Sequence, residues 1–99
     1  MVKDNIMVAK IKVRRMGEWQ FEITQVAENN TYYEWFQSYD VLVGKKTYVS
    51  GVLTDTYLDP TYWDYSKTTG KYRNIFLGEK KKETEANLKE GKYKLINLN

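Results

Sequence analysis

Residues 62–77 read YWDYSKTTGKYRNIFL, and within them the chain changes its period. Tyr72, Ile75 and Phe76 recur at i, i+3 and i+4, one face of a helix. Asp64, Ser66 and Thr68 are all helix N-cap types and precede that face. Gly70, at about 1 kcal/mol less favourable than Ala inside a helix, places the start near it. Gly78 then ends or breaks the helix. EKKKETEANLKE at 79–90 is rich in helix formers, with Glu85 and Lys89 paired at i, i+4. Gly91 sits where a C-terminal glycine cap belongs. YKLINL at 93–98 closes the chain as a strand.

Upstream of residue 62 the period is two. Residues 6–14 (IMVAKIKVR) put Met7, Ala9, Ile11 and Val13 on one face. Residues 18–26 (EWQFEITQV) alternate more cleanly: Trp19, Phe21 and Ile23 are expected inward, Glu18, Gln20, Glu22 and Thr24 outward. RMG at 15–17 is a candidate hairpin closure between the two. AENN at 27–30 is a turn, and TYYEWF at 31–36 reads as either a short strand or an aromatic loop. YDVLVGKKTYV at 39–49 and VLTDTYL at 52–58 are strands joined by the tight-turn signal Ser50–Gly51. Asp59 and Pro60 stop the last of them. The fold class is therefore α+β: a single domain over residues 1–99, with a mostly antiparallel sheet of four to six strands and one or two C-terminal helices packed on one face.

With 99 residues the chain makes one domain and can bury one core. It has neither cysteine nor histidine. Disulfides, thiolate metal sites, the usual zinc ligands and the usual neutral-pH general base are all excluded. No carboxylate spacing has metal-loop form, so no metal, cofactor or catalytic residue is expected, and the protein is not expected to be an enzyme. No apolar run approaches a membrane span and the N-terminus has no secretory pattern, so an intracellular, cytoplasmic protein is expected.

The net charge of +3 is polarised: residues 1–65 carry seven Lys/Arg against nine Asp/Glu, residues 66–99 nine against four. The basic third invites phosphate contact through Lys67, Lys71, Arg73 and Lys80, Lys81 and Lys82, or else is a solvated helix face. Thirteen of the basic residues are Lys and three are Arg, which disfavours sequence-specific base reading. TTGKY is not a phosphate-binding P-loop, because Tyr65 stands at the first glycine position and Tyr72 follows the lysine. Between residues 28 and 64 six acids face two lysines. Such a patch suits a basic protein groove. Nine tyrosines and three tryptophans exceed what a small core uses, so some are expected at an interface. The candidate partner-binding residues are Glu34, Trp35, Tyr39, Asp40, Asp55, Tyr57, Asp59, Tyr62 and Asp64.

From Ser38 onward the chain resembles a group of small proteins from bacteriophages and mobile elements. The residues that carry the resemblance are SYDVLV at 38–43, YWDYSKTTGKYRNIFL at 62–77 and EANLKEGKYKLINL at 85–98. It implies a shared core over 38–99 and an added N-terminal β-hairpin region over 1–37. In size, charge polarity and lack of His and Cys the chain is also similar in kind to phage inhibitors of bacterial immunity, anti-CRISPR proteins among them. The resemblance implies a noncatalytic inhibitor that binds and blocks a bacterial defence protein, a Cas9-type nuclease being the leading candidate, in the cytoplasm of an infected or lysogenic host. The alternative is a nucleic-acid-binding accessory protein that uses the basic helices.

Overall fold

The computed structural model describes residues 10–99; the alternation expected over 6–9 lies outside the described residues. Strands β1 (Lys10–Gly17), β2 (Gln20–Val26), β3 (Thr31–Ser38), β4 (Val41–Val49) and β5 (Val52–Leu58) form an antiparallel meander in sequence order. Helices α1 (Lys67–Leu77) and α2 (Lys81–Lys89) follow, and β6 (Lys94–Leu95) returns parallel to β5. The α+β architecture with C-terminal helices is as the sequence implies. TYYEWF is a full central strand, not a loop.

Strand register fixes which side chains share a face, because cross-strand partners point the same way. Glu22, Phe36, Gly44 and Leu58 are successive partners across β2 to β5, and Gln20 pairs with Ser38. This is the face that α1 covers: Phe36 meets Phe76 at 5.8 Å between ring centroids, and the Ser38 and Thr69 hydroxyls are 2.8 Å apart. The register steps between Phe36 and Gln37, so Val43 is the extra residue of a β-bulge and turns into the core. Phe36, Val43, Leu58 and Phe76 are the buried apolar residues among those described.

Two strand glycines seat the helix. Tyr72 and Phe76 stand four residues apart on α1. A Cβ on Gly17 would lie 2.2 Å from the Tyr72 hydroxyl oxygen and 2.5 Å from its ring, and one on Gly44 would lie 3.2 Å from the Phe76 ring. Gly17 is therefore used for close approach by Tyr72. Gly17→Ala should cost about 1–3 kcal/mol through overpacking. A chemical-denaturation midpoint equal to that of the unaltered protein would refute this seating.

Several sequence expectations are corrected here. RMG does not close the first hairpin; Arg15–Gly17 ends β1, and Glu18 and Trp19 make the turn. Trp19 thus points into solvent, with its backbone at φ 59°. Phe21 and Ile23 lie on the face away from α1, and Gln20, expected outside, is fully buried beneath it. A period of two says which residues share a face but not which face a distant helix will cover. Residues 39 and 40 form a turn, so β4 starts at Val41. On α1 the buried positions are Thr69, Gly70, Arg73 and Phe76, whereas Ile75 is exposed. Ser66 is the N-cap, its hydroxyl accepting from the Thr69 N–H at 3.1 Å, and Gly78 ends the helix at φ 69°.

The meander has turns at both ends, and their chemistry differs. At one end the left-handed positions are Asn29, Asn30, Ser50 and Gly51, with the Ser50 N–H donating to the Asn30 carbonyl at 2.9 Å. Asn and Gly suit that conformation. At the other end the left-handed residues are Trp19 and Tyr39, with the Tyr39 N–H donating to the Trp19 carbonyl at 2.7 Å. A bulky L-residue held there costs about 1–2 kcal/mol.

Candidate binding surface

The sheet face opposite α1 carries no helix among the described residues. Val13, Ile23, Trp35, Lys45 and Tyr57 are successive partners across β1 to β5 on that face. Ile11, Phe21 and Tyr33 flank the row. Ile11 and Val13 are 61% and 62% exposed. The Lys45 ammonium sits 4.4 Å from the Tyr33 ring centroid and 4.7 Å from that of Trp35, a cation–π arrangement. The Trp35 indole N–H donates to Gln25 Oε1 at 3.2 Å. These contacts hold the rings in place without covering them. The result is a fixed aromatic and aliphatic surface.

The acidic residues that cluster in sequence do not cluster in space. Glu34 lies on the α1 side of β3, 3.9 Å from the Lys46 ammonium. Asp55 lies on the opposite face, accepting from the Thr54 hydroxyl at 2.9 Å, and Asp40 is in the exposed β3–β4 turn. Asp59 is buried, so the sequence expectation of it as a surface contact is corrected. Its Oδ1 accepts from the N–H groups of Thr61 and Tyr62, and its Oδ2 accepts from the Leu98 N–H and the Asn99 side-chain amide. Burial alone would raise its pKa, but those four hydrogen bonds outweigh it and hold the carboxyl below its ordinary value. Tyr62 is half-buried against the core.

Asp64 is likewise engaged. Its two oxygens lie 2.9 Å from the Arg73 guanidinium and 2.7 Å from the Lys81 ammonium. Desolvation pushes its pKa up; hydrogen bonds and charge from Lys81 and Arg73 pull it below the usual carboxylate value. Arg73 is 1% exposed and also donates to the Trp63 carbonyl and to Asn74 Oδ1, each at 2.9 Å. It is a structural residue, which corrects its placement among the phosphate contacts. Lys67, Lys71 and Lys81 remain exposed and, with Ser66 and Gly70, line one shallow depression at the start of α1. Lys80 and Lys82 are exposed at the start of α2, where the Lys80 N–H donates to Glu83 Oε1 at 3.0 Å.

No protein-family model, curated protein or solved structure matches the chain. The site is therefore defined by its geometry alone. Of the expected partner-binding residues, Trp35 and Tyr57 fall on the open face with Asp55, and Tyr39 and Asp40 fall on an exposed turn. Glu34, Asp59, Tyr62 and Asp64 do not join them. Sequence reasoning missed Phe21 and Lys45 as surface residues, and it assigned Trp19 to the core. The signal that was present is the run of aromatics at alternate positions 33 and 35, opposite Lys45. No helix among the described residues is long and apolar enough to cross a membrane.

Proposed function

We propose that this protein is a noncatalytic inhibitor that docks on a bacterial defence protein, a Cas9-type nuclease, through the open face of its sheet. One observation carries the reading: Phe21, Ile23, Tyr33, Trp35 and Tyr57 form a fixed surface on the face that no helix among the described residues covers. Tyr and Trp held in place this way are the residue types that dominate binding energy at protein interfaces. The absence of Cys and His from the sequence, and the structural use of Asp59 and Asp64, support a role without chemistry. The likeness in kind to phage inhibitors of bacterial immunity, a small charge-polarised chain without His or Cys, supports a target in host defence.

The test is binding of the purified protein to a purified, guide-loaded Cas9-type nuclease, measured by calorimetry. Trp35→Ala should weaken the complex by about 30-fold, as expected of an interface anchor, while circular dichroism shows a retained fold. Unchanged affinity of the Trp35→Ala variant would remove the open face from the interface.

A second reading has its own observation. Lys67, Lys71 and Lys81 converge at the start of α1, a place suited to phosphates. If nucleic acid is the partner, affinity for single-stranded DNA will fall steeply with salt, and charge removal at these lysines will flatten that slope.

A further inference from the structure

We infer that Lys45, at the centre of the open face, receives a carboxylate that the partner protein presents from an otherwise apolar patch. The inference rests on the docking function proposed above and names the chemistry of the surface that docks. Lys45 stands in the row Val13, Ile23, Trp35, Lys45 and Tyr57, so aromatic side chains flank it on both neighbouring strands. Its ammonium rests 4.4 Å from the Tyr33 ring centroid and 4.7 Å from that of Trp35. The two rings hold it in place before any partner arrives, which lowers the ordering cost of binding.

Ring contacts attract the charge but do not satisfy its donors. An ammonium has three N–H groups, and a partner that covers the face strips them of water. Lys46, next in the chain and on the other face, sits over the Phe76 ring in the same way. It also donates to the Phe76 carbonyl and lies 3.9 Å from Glu34, so the fold itself meets its needs. Lys45 has the rings without the acceptor: among the described residues no carboxylate lies within ion-pair distance of it. Asp55 stands diagonally across on β5 and accepts from the Thr54 hydroxyl. A docking partner therefore loses affinity unless it brings the acceptor, and a carboxylate supplies acceptor and counter-charge together.

The remaining charges favour a protein over a nucleic acid. Arg15 and Lys94 share the face with Asp55, and Glu18 lies beside Arg15 at the β1–β2 turn. The two ends of the sheet each add one of either sign, Asp40 with Lys71 and Glu28 with Lys10. The periphery is thus balanced, and Lys45 is the charge in excess. A polyanion would meet that single excess charge and the aliphatic Ile11, Val13 and Ile23, which offer its bases no ring to stack on. One carboxylate among apolar groups matches both features.

The experiment titrates the full chain and the variants Lys45→Arg, Lys45→Met, Lys45→Glu and Lys89→Glu against a purified, guide-loaded Cas9-type nuclease. Each is also titrated with a single-stranded DNA oligonucleotide, and each melting temperature is recorded. Lys45→Met should bind the nuclease about 10-fold more weakly and Lys45→Glu at least about 100-fold more weakly, because the second sets like charges together. Lys45→Arg, which keeps the charge, and Lys89→Glu, which changes an exposed lysine of α2, should each stay within about fivefold. A Lys45→Met variant that binds as tightly as the unaltered protein, or a Lys45→Glu variant that binds more tightly, overturns the inference while the docking function stands. A Lys45→Met variant that does not fold makes the ammonium a structural group and overturns it too. So does DNA binding that is lost in Lys45→Met, which would make phosphate the occupant. An unaltered protein that does not bind the nuclease overturns both readings.

Discussion

Asp59→Ala should destabilise the protein by about 3–5 kcal/mol, a loss read as a fall in the urea midpoint at unchanged slope. Asp59 directly follows β5, yet its carboxylate receives donors from two directions. The Thr61 and Tyr62 N–H groups come from the turn that leads to α1, and Leu98 and Asn99 come from the end of the chain. Asn99 also pairs with Leu42, its amide donating to the Leu42 carbonyl at 2.9 Å and its Oδ1 accepting from the Leu42 N–H at 2.7 Å. Removing one buried carboxylate therefore releases the turn and cuts its tie to the C-terminal segment, which is left with the β5–β6 pairing and the Asn99–Leu42 bonds alone.

The same residue sets a pH dependence. The Asp59 and Asp64 carboxyls both have pKa values lower in the folded protein than in the unfolded chain. The folded state therefore binds their protons less readily. The stability they contribute is complete above the unfolded carboxyl pKa of about 3.9 and is lost as pH falls below it. Denaturation midpoints measured from pH 7 down to pH 2 should drop through that window, and the drop should be shallower in Asp59→Ala. An equally steep acid limb in the variant would mean that Asp59 does not carry the effect.

How far this was legible in sequence depends on the range of the interaction involved. Strand periods, the Ser50–Gly51 turn, the Ser66 cap and the Gly78 stop are local, and each lies where residue chemistry puts it. The inward and outward faces of β2 were inverted because they are set by α1, which arrives some fifty residues later and settles over Gln20 and Phe36. Gly17 read as a turn residue because a strand glycine is hard to recognise without knowing that Tyr72 lies on it. The acidic patch dissolved for a related reason. Residues near one another along β3 to β5 alternate between faces, so Glu34 and Asp55 end on opposite sides of the sheet. Asp59 was read as a surface acid, and Asp64 as a free one, because their partners, at 98, 99, 73 and 81, are distant in sequence. The aromatic surplus was a sound cue to an interface, although the residues that form it are partly different ones.

Asp64→Ala should cost about 2–3 kcal/mol, and the reason lies in Arg73. The guanidinium is buried under the turn that starts α1, 5.3 Å from the Trp63 ring, with Asp64 as its nearby counter-charge. Removing the carboxylate leaves a buried cation held by one main-chain carbonyl and one side-chain amide oxygen. Breaking a fully buried pair costs about 3–5 kcal/mol. The figure here is smaller because the Asp64 side chain is 31% exposed, so water partly replaces it. Lys81 also loses its partner, but it is itself exposed and recovers solvation. The penalty therefore belongs to the stranded guanidinium, and this can be separated by a second change. Asp64→Ala combined with Arg73→Met removes the stranded charge and keeps an apolar chain of similar length against Trp63. The double variant should be more stable than Asp64→Ala alone. If it is less stable, by a margin equal to the separate cost of Arg73→Met, the two residues act independently and the ion pair does not organise the start of the helix.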